Sequence, residues 1–491
     1  MKLSALFSGI VELSSLSDLE IHRLTEDSRS TDPHTVFVCI KGAVADGHRY
    51  AASAYANGCR VFVAQDPLTL PEDAFVITVS NTRRTLALLA ARLWGDPSHS
   101  MHVIGITGTK GKTTTAQMLA HLLNQCGVSC GYIGTNGILY AGQRIATKNT
   151  TPDAVTLQQT LSDMRREHVD AVVMEVSSQA IMQHRVDGIR FQTLLYTNLS
   201  PDHIGQHEHP DFAHYKACKR RLFTDFNAQN AIYNQDDAAS ADMLADCSAT
   251  QRVSCSTAGC DADFSATNVR LIRETAMWGV GCTVEEQNGE AQALALPLIG
   301  RFNVANALLA IATACRVFGV TLKRASETLA SVTVAGRSEL IPLPNGACAV
   351  IDYAHNRTSM ESLLTTLREY EPTRLIALFG SVGGRSQMRR RELGQIAAEC
   401  CDLCILTSDN PANEPPMQII DEIAAAFEGS ETPCLKIADR AEAIRRAVAL
   451  TRAGDLLVLA GKGHETYQLI GSEKVPFCER EILLDAIKAL R

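Results

Sequence analysis

Nothing in the 491 residues is apolar for long enough to cross a bilayer; no segment approaches the roughly twenty consecutive apolar residues that a spanning helix needs. An export signal is missing too. The apolar patch Leu3 to Val11 has little positive charge ahead of it, no clear small-residue cleavage site, and Glu12 and Asp18 soon after. Basic charge is not in excess: 46 lysines and arginines stand against 54 acidic side chains, a net charge of −8, so global charge favours neither nucleic acid nor an anionic membrane as partner. An anionic substrate has to be drawn by local basic groups. The sixteen cysteines follow no regular spacing, which in a long chain without an export signal fits free thiols in a reducing cytoplasm rather than a disulfide framework. The one Cys-x-x-Cys, Cys401 to Cys404, has no second ligand pair and lies in a run that reads as a buried strand. Internal repeats and low-complexity segments are absent.

What is present is 46% apolar and 20% charged, ordinary for a globular chain whose length calls for about three domains. Residues 1 to 98 alternate short strands (Val36 to Ile40, Arg60 to Ala64, Phe75 to Val79) with helical stretches. The second module, 99 to 333, opens on the most informative run of the chain, Ile104 to Thr115. There a buried strand, a glycine-rich turn and a helix start follow one another, the order that cradles nucleotide phosphates. The loop is a variant, Gly108-Thr109-Lys110-Gly111-Lys112-Thr113-Thr114. Lys112 brings a point charge to the β and γ phosphates, and the Thr113 hydroxyl is placed for Mg²⁺. From 334 to 491, strands at 348 to 352, 374 to 379, 402 to 407 and 455 to 460 alternate with helices. That alternation predicts a mostly parallel sheet with ligand groups at the strand carboxyl ends.

Chemistry-bearing residues fall at such ends. Ala171 to Val176 is an apolar strand carrying Glu175, a candidate metal ligand. The strand Thr193 to Asn198 leads to Asp202 and His203, a second candidate ligand with His207 and His209 as competitors. A helix over Asp211 to Phe223 carries Lys216, Lys219, Arg220 and Arg221; the pattern alone does not separate Lys216 from Lys219. Arg357, Arg389, Arg390 and Arg391 have no assigned role; surface charge is the favoured reading, and supplying positive charge to a binding site is the alternative.

Read together, these runs become specific. Gly108 to Thr114, Asn149-Thr150-Thr151-Pro152, Met174 to Ser178, Asn198 to His203, Gly300-Arg301-Phe302-Asn303, Gly336-Arg337, Asp352-Tyr353-Ala354-His355 and Gly461-Lys462-Gly463-His464-Glu465 resemble the ordered signature of the Mur ligase family. Asp27-Ser28-Arg29 and Asp46-Gly47-His48 extend the resemblance over nearly the whole chain. Within the family the pattern looks like the member that adds the third residue of the peptidoglycan stem peptide. The implied fold is α/β in three domains: a small N-terminal uridine-binding domain, a central P-loop ATPase-like mononucleotide-binding domain and a C-terminal Rossmann-like domain. The implied activity is ATP-dependent ligation of UDP-N-acetylmuramoyl-L-alanyl-D-glutamate to a diamino acid through an acyl phosphate. ATP, Mg²⁺ and a CO₂-derived carbamate on Lys219 are the implied cofactors, and a cytoplasmic monomer is expected.

Carried onto this chain, the resemblance implies that Ser28 meets the uridine diphosphate end, while Asn149, Thr150, Thr151, Ser178, Gln183 and Arg185 hold the muramoyl peptide. Lys112, Glu175, His203 and Lys219 are the implied catalytic set, with Thr113, Glu175, His203 and carbamylated Lys219 around the metal. Asn303 and Asn306 would lie near adenine, and Arg337, Asp352 and His355 near the rest of the nucleotide. Arg385, Asp409, Asn410, Pro411, Ala412, Gly461 and Glu465 would meet the incoming amino acid. Members that add meso-diaminopimelate usually carry Arg where this chain has Ala412, so L-lysine is expected here, with L-ornithine next. Gln179 and Asn356-Arg357 depart from the commoner His and Thr-Pro. Folylpolyglutamate synthase and a nucleotide-binding regulator without turnover are the competing readings.

Overall fold

The computed structural model describes residues 1–12, 19–42, 45–205, 208–274, 277–384 and 387–490. By internal packing the chain divides into two compact units, Met1–Ser265 with Leu308–Thr321, and Ala266–Ala307 with Leu322–Arg491. The first holds a small four-stranded parallel sheet in sequence order, Arg23–Thr25, Thr35–Val38, Val61–Ala64 and Phe75–Thr78. Leu3, Leu6, Phe7, Val36, Val38, Val61, Val63 and Leu89 fill one of its faces.

The larger sheet of this unit is parallel around the strand His102–Thr107, which has Thr193–Tyr196 on one side and Ala171–Glu175 on the other. Register does the positioning. Ile106 pairs with Glu175 and Thr107 with Tyr196, so the turn after Thr107 meets the end of one neighbour and the continuation of the other. Strands buried on both faces read as continuous apolar runs, as Ala171-Val172-Val173-Met174 does. The helix Lys112–Gln125 packs Ala116, Met118, Leu119, Leu122 and Leu123 inward, and each such buried Leu or Met contributes roughly 1.5–3 kcal/mol. Gly111, at φ +85°, makes the left-handed entry to that helix at no steric cost.

In the second unit the strands Cys348–Asp352, Leu456–Ala460, Leu375–Phe379, Leu403–Leu406 and Cys434–Lys436 lie parallel in that spatial order, with Glu339–Pro342 antiparallel at one edge. Separate apolar clusters cover the two faces, one around Leu364, Leu393 and Ile420 and one around Ile444, Ala447 and Leu483. This is a doubly wound arrangement, whose binding crevice lies outside the strand carboxyl ends. The expected strand positions agree with the structure to within one or two residues, and an Ala-rich helix spans Phe302–Phe318.

A buried ion pair braces that crevice. Arg440, at the start of the helix Arg440–Leu450, donates to Glu479 Oε1 from Nε (2.9 Å) and Nη2 (2.7 Å), to Ser408 O from Nη1 and to Ala460 O from Nη2. Ala460 ends one parallel strand, Ser408 lies two residues past the end of another, and neither charged side chain is exposed. Glu479→Ala strands the guanidinium without its counter-charge and is expected to cost about 3–5 kcal/mol, read as a lower urea midpoint at unchanged slope.

Candidate functional site

The phosphate-type loop is held shape-first. Thr109 N donates to Asn198 O (2.8 Å), Lys110 N to Asn198 Oδ1 (2.9 Å) and Thr197 Oγ1 to Lys110 O (2.7 Å). Thr109 Oγ1 accepts from Tyr215 OH (3.1 Å) and from Ser200 N (3.0 Å). Gly108, at φ +146°, has no room for a side chain: a Cβ would stand 2.0 Å from Thr197 Oγ1.

Two lysines meet this loop at one oxygen. Lys112 Nζ donates to Gly108 O (2.8 Å) and Thr109 O (3.0 Å), and Lys219 Nζ donates to the same Gly108 O at 2.8 Å. Lys219 is 1% exposed and its Nζ lies 4.7 Å from the Tyr215 ring centre. Burial, aided by the neighbouring charge of Lys112, pushes its amine well below the usual lysine range. The helix Phe212–Thr224 explains which lysine goes inside. Tyr215, Cys218, Lys219, Leu222 and Phe223 form its buried stripe, while Lys216 pairs outward with Asp242 and Arg221 with Asp225.

Glu175 is the second centre. It is 1% exposed, yet its oxygens accept four hydrogen bonds: Oε1 from Tyr132 OH (2.6 Å) and Thr135 N (2.9 Å), Oε2 from Thr113 Oγ1 (2.9 Å) and Thr135 Oγ1 (3.2 Å). Such a carboxylate beside the loop's first helical hydroxyl is a hard-oxygen donor set, the kind Mg²⁺ takes. His203 is exposed, with Nδ1 3.0 Å from Glu208 Oε1 and its ring 6.2 Å from that of Tyr215. His207 lies outside the described residues.

Adjacent to Glu175 lies the proposed muramoyl-peptide group. Thr151 Oγ1 donates to Glu175 O (2.8 Å) and accepts from Ser177 N (3.1 Å). Arg185 donates to Thr151 O (2.8 Å) and to Gln183 Oε1 (2.7 Å). Thr150 Oγ1 lies 3.1 Å from Thr135 Oγ1, Ser178 opens the short helix Ser178–Met182, and Asn149 is exposed. Ser28 is buried in the small sheet's module, its carbonyl accepting from Asn57.

The second unit gathers its own set. Asp352 accepts from Ser338 N (2.7 Å) and Ala354 N (2.9 Å), and Arg337 lies 5.3 Å from the Tyr353 ring centre. Arg389 donates to His355 O. Lys462 Nζ, fully buried, donates to Glu465 Oε2 (2.8 Å) and Asn410 Oδ1 (3.0 Å) and lies 3.7 Å from Asp409 Oδ1. Asn410 Nδ2 donates to Glu465 Oε2 (3.0 Å). Gly461 has room for nothing larger, since a Cβ would stand 2.7 Å from Asp409 Oδ2. Ala412, at φ +50°, is fixed by its N–H to Leu469 O (2.9 Å), and Gly383 closes on Pro411 O. Asn303 and Asn306 are buried, with Asn306 Nδ2 donating to Asn303 Oδ1 (2.9 Å). Arg385 lies outside the described residues.

Sequence reasoning missed Tyr132, Thr135 and Tyr215 and undervalued Lys462: Tyr132 is a lone phenol in the apolar strand Cys130–Gly134, while Thr135, in a Gly-Thr-Asn-Gly turn, and Tyr215, on a basic helix, carry no local signal. The surface reading of Arg390 is corrected. It is 2% exposed and donates to Glu414 and Glu422, both 2.8 Å away, a pairing set by the fold rather than by any local pattern.

Three family models tile the sequence: "Mur ligase family, catalytic domain" at residues 20–94, "Mur ligase middle domain" at 106–314 and "Mur ligase, glutamate ligase domain" at 336–463. The chain belongs to the Mur ligase family. It is an ATP-dependent, amide-bond-forming ligase with the family's three-domain α/β fold. Among its relatives is a Clostridium botulinum protein named UDP-N-acetylmuramoyl-L-alanyl-D-glutamate--2,6-diaminopimelate ligase, 35% identical over 96% of each chain. A Chlorobaculum tepidum protein of the same name is 38% identical over 94% of this chain and 91% of its own. A solved structure with that name superposes at TM-score 0.73 with 28% identity, covering 100% of this chain and 99% of the other.

Gly108→Ala tests whether the loop's shape is required in this Mur ligase. The clash with Thr197 and the positive φ predict at least a tenfold loss of ATP affinity by calorimetry, with a far-UV spectrum that stays that of a folded protein.

Proposed function

We propose that this Mur ligase adds a diamino acid to the D-glutamyl side-chain carboxylate of UDP-N-acetylmuramoyl-L-alanyl-D-glutamate. The observation that carries the reading is Lys219, a buried amine held on the carbonyl of the phosphate loop beside Lys112. A carboxylate is a poor electrophile until activated. Its oxygen attacks the γ-phosphorus of ATP, ADP leaves, and the acyl phosphate is then attacked at carbon by the incoming amine, which releases phosphate and a proton. Lys112 neutralises charge on the transferring phosphoryl group. Thr113 and Glu175 would hold Mg²⁺, which when bound supplies further charge neutralisation along the phosphates. The depressed basicity of Lys219 favours the neutral amine, whose lone pair would attack CO₂; the new N–C bond forms as one proton departs, turning a neutral amine into an anionic oxygen donor. Thr150, Thr151, Ser178, Gln183 and Arg185, with Asn149 and Ser28, would orient the muramoyl peptide. Asn303, Asn306, Arg337, Asp352 and His355 would hold nucleotide, and Asp409, Asn410, Pro411, Ala412, Gly461 and Glu465, with Arg385, the amino acid. The three modules would divide at 98/99 and 333/334.

The relatives' names turn the expectation of lysine toward 2,6-diaminopimelate as the amino acid, and Arg389, half-buried on the His355 carbonyl, supplies a guanidinium at the same strand ends. Ala412 favours a second reading, L-lysine, because a second substrate carboxylate would lose an arginine partner there, a loss of about 2–5 kcal/mol for a desolvated pair. Incubation with the UDP-dipeptide, ATP and each of meso-diaminopimelate, L-lysine and L-ornithine decides between them by ADP release and product mass. Turnover of diaminopimelate is expected; turnover of lysine alone establishes the second reading.

Lys219→Ala is expected to lower kcat at least 100-fold with ATP affinity nearly kept, and removal of bicarbonate is expected to slow the parent enzyme but not the variant. A ¹³C-bicarbonate carbamate resonance absent from the variant checks the assignment independently.

A further inference from the structure

Three donor atoms converge at the entry to the helix Phe212–Thr224, and no step of the ligase reaction uses any of them. His209 Nδ1 lies 2.9 Å from His214 Nδ1, and His214 Nδ1 lies 3.8 Å from Cys218 Sγ. All three atoms are within 4.8 Å of one another. His214 and Cys218 stand four residues apart, so one helical turn stacks them on a single face, and His209 reaches the same point from the loop before the helix. An ion bound tetrahedrally with Zn–N near ~2.0 Å and Zn–S near ~2.3 Å separates two nitrogens by about 3.3 Å and a nitrogen from a sulfur by about 3.6 Å. Two of the three observed spacings come within about half an ångström of these values, and the third, His209 to Cys218, is within 4.8 Å.

Spacing is not the only observation. His209 is fully buried, and its second nitrogen, Nε2, lies 2.9 Å from Ser178 Oγ, the outer hydrogen bond that fixes the ring and tautomer of a ligating imidazole. A plain hydrogen-bonded cluster, with the His209 imidazole and the Cys218 thiol both on His214 Nδ1, is the alternative that the test below must exclude. His214 is exposed, so the point is open to ions from solvent.

We propose that His209, His214 and Cys218 form a zinc-type transition-metal site, distinct from the hard-oxygen set of Thr113 and Glu175. Imidazole and thiolate select such ions over Mg²⁺, and solvent completes the coordination. Ligation replaces the S–H bond of Cys218 by an S–metal bond, with the proton released to water. Because Ser178 holds the far side of His209, an occupied site also fixes the hydroxyl that opens the helix Ser178–Met182.

The test uses the full chain, stripped with chelator, desalted and titrated with Co²⁺ as the probe. One equivalent is expected to give tetrahedral d–d bands and a thiolate-to-cobalt charge-transfer band, both bleached by one equivalent of Zn²⁺. Cys218→Ser should abolish the charge-transfer band, and His214→Ala should weaken Co²⁺ binding at least tenfold, with ATP binding in Mg²⁺ unchanged in both. The same band and affinity in both variants place the ion on other cysteines and overturn the proposal, as does the lack of one-equivalent saturation. X-ray absorption of the zinc-loaded parent needs no variant. A shell of one sulfur near ~2.3 Å and light atoms near ~2.0 Å supports the site, and a shell without sulfur or with several sulfurs refutes it.

Discussion

The carbonyl oxygen of Gly108 is the point on which the first unit turns, because it accepts from Lys112 and Lys219 at once. Burial foremost, and then the neighbouring Lys112 ammonium, disfavours charge on Lys219 and pushes its amine well below the usual lysine range. That arrangement exists only while the loop keeps its path, and the path is set by Thr197 and Asn198 from the next strand's continuation. Register between strands, rather than any local preference of the loop, delivers those residues. The glycine-rich turn and the buried lysine are therefore one object.

The second unit solves a related problem with the opposite sign. Lys462 is fully buried, which is tolerable only because Asp409 and Glu465 lie against it and Asn410 shares its hydrogen bonds. Two carboxylates against one ammonium leave a formal surplus of one negative charge. Gly461 and Gly383 keep the backbone close enough for no side chain to intrude on it.

Much of this was legible in the residues. Strand positions, the phosphate loop, Glu175 and the strand-end residues of the second unit follow from apolar runs, glycine placement and motif order, because these are local statements. Lys216 and Lys219 could not be told apart until the helix's inward stripe was known, since both sit among basic neighbours. Arg390 read as surface for want of any pattern naming Glu414 and Glu422, which lie 24 and 32 residues onward and come near only through tertiary packing. Tyr132 escaped because a hydroxyl that satisfies a distant carboxylate leaves no periodic trace.

The Glu175 pocket carries a further implication. Gly134 backs onto both partners of its shortest hydrogen bond, and a Cβ there would stand 2.2 Å from Glu175 Oε1 and 2.3 Å from Tyr132 Oη. Carboxylate, phenol and glycine thus occupy a volume with no slack. A shorter acid, a missing hydroxyl or an added methyl at any one of the three leaves the others misfitted, so natural variation at these positions should be concerted, with compensating pairs tolerated where single exchanges are not.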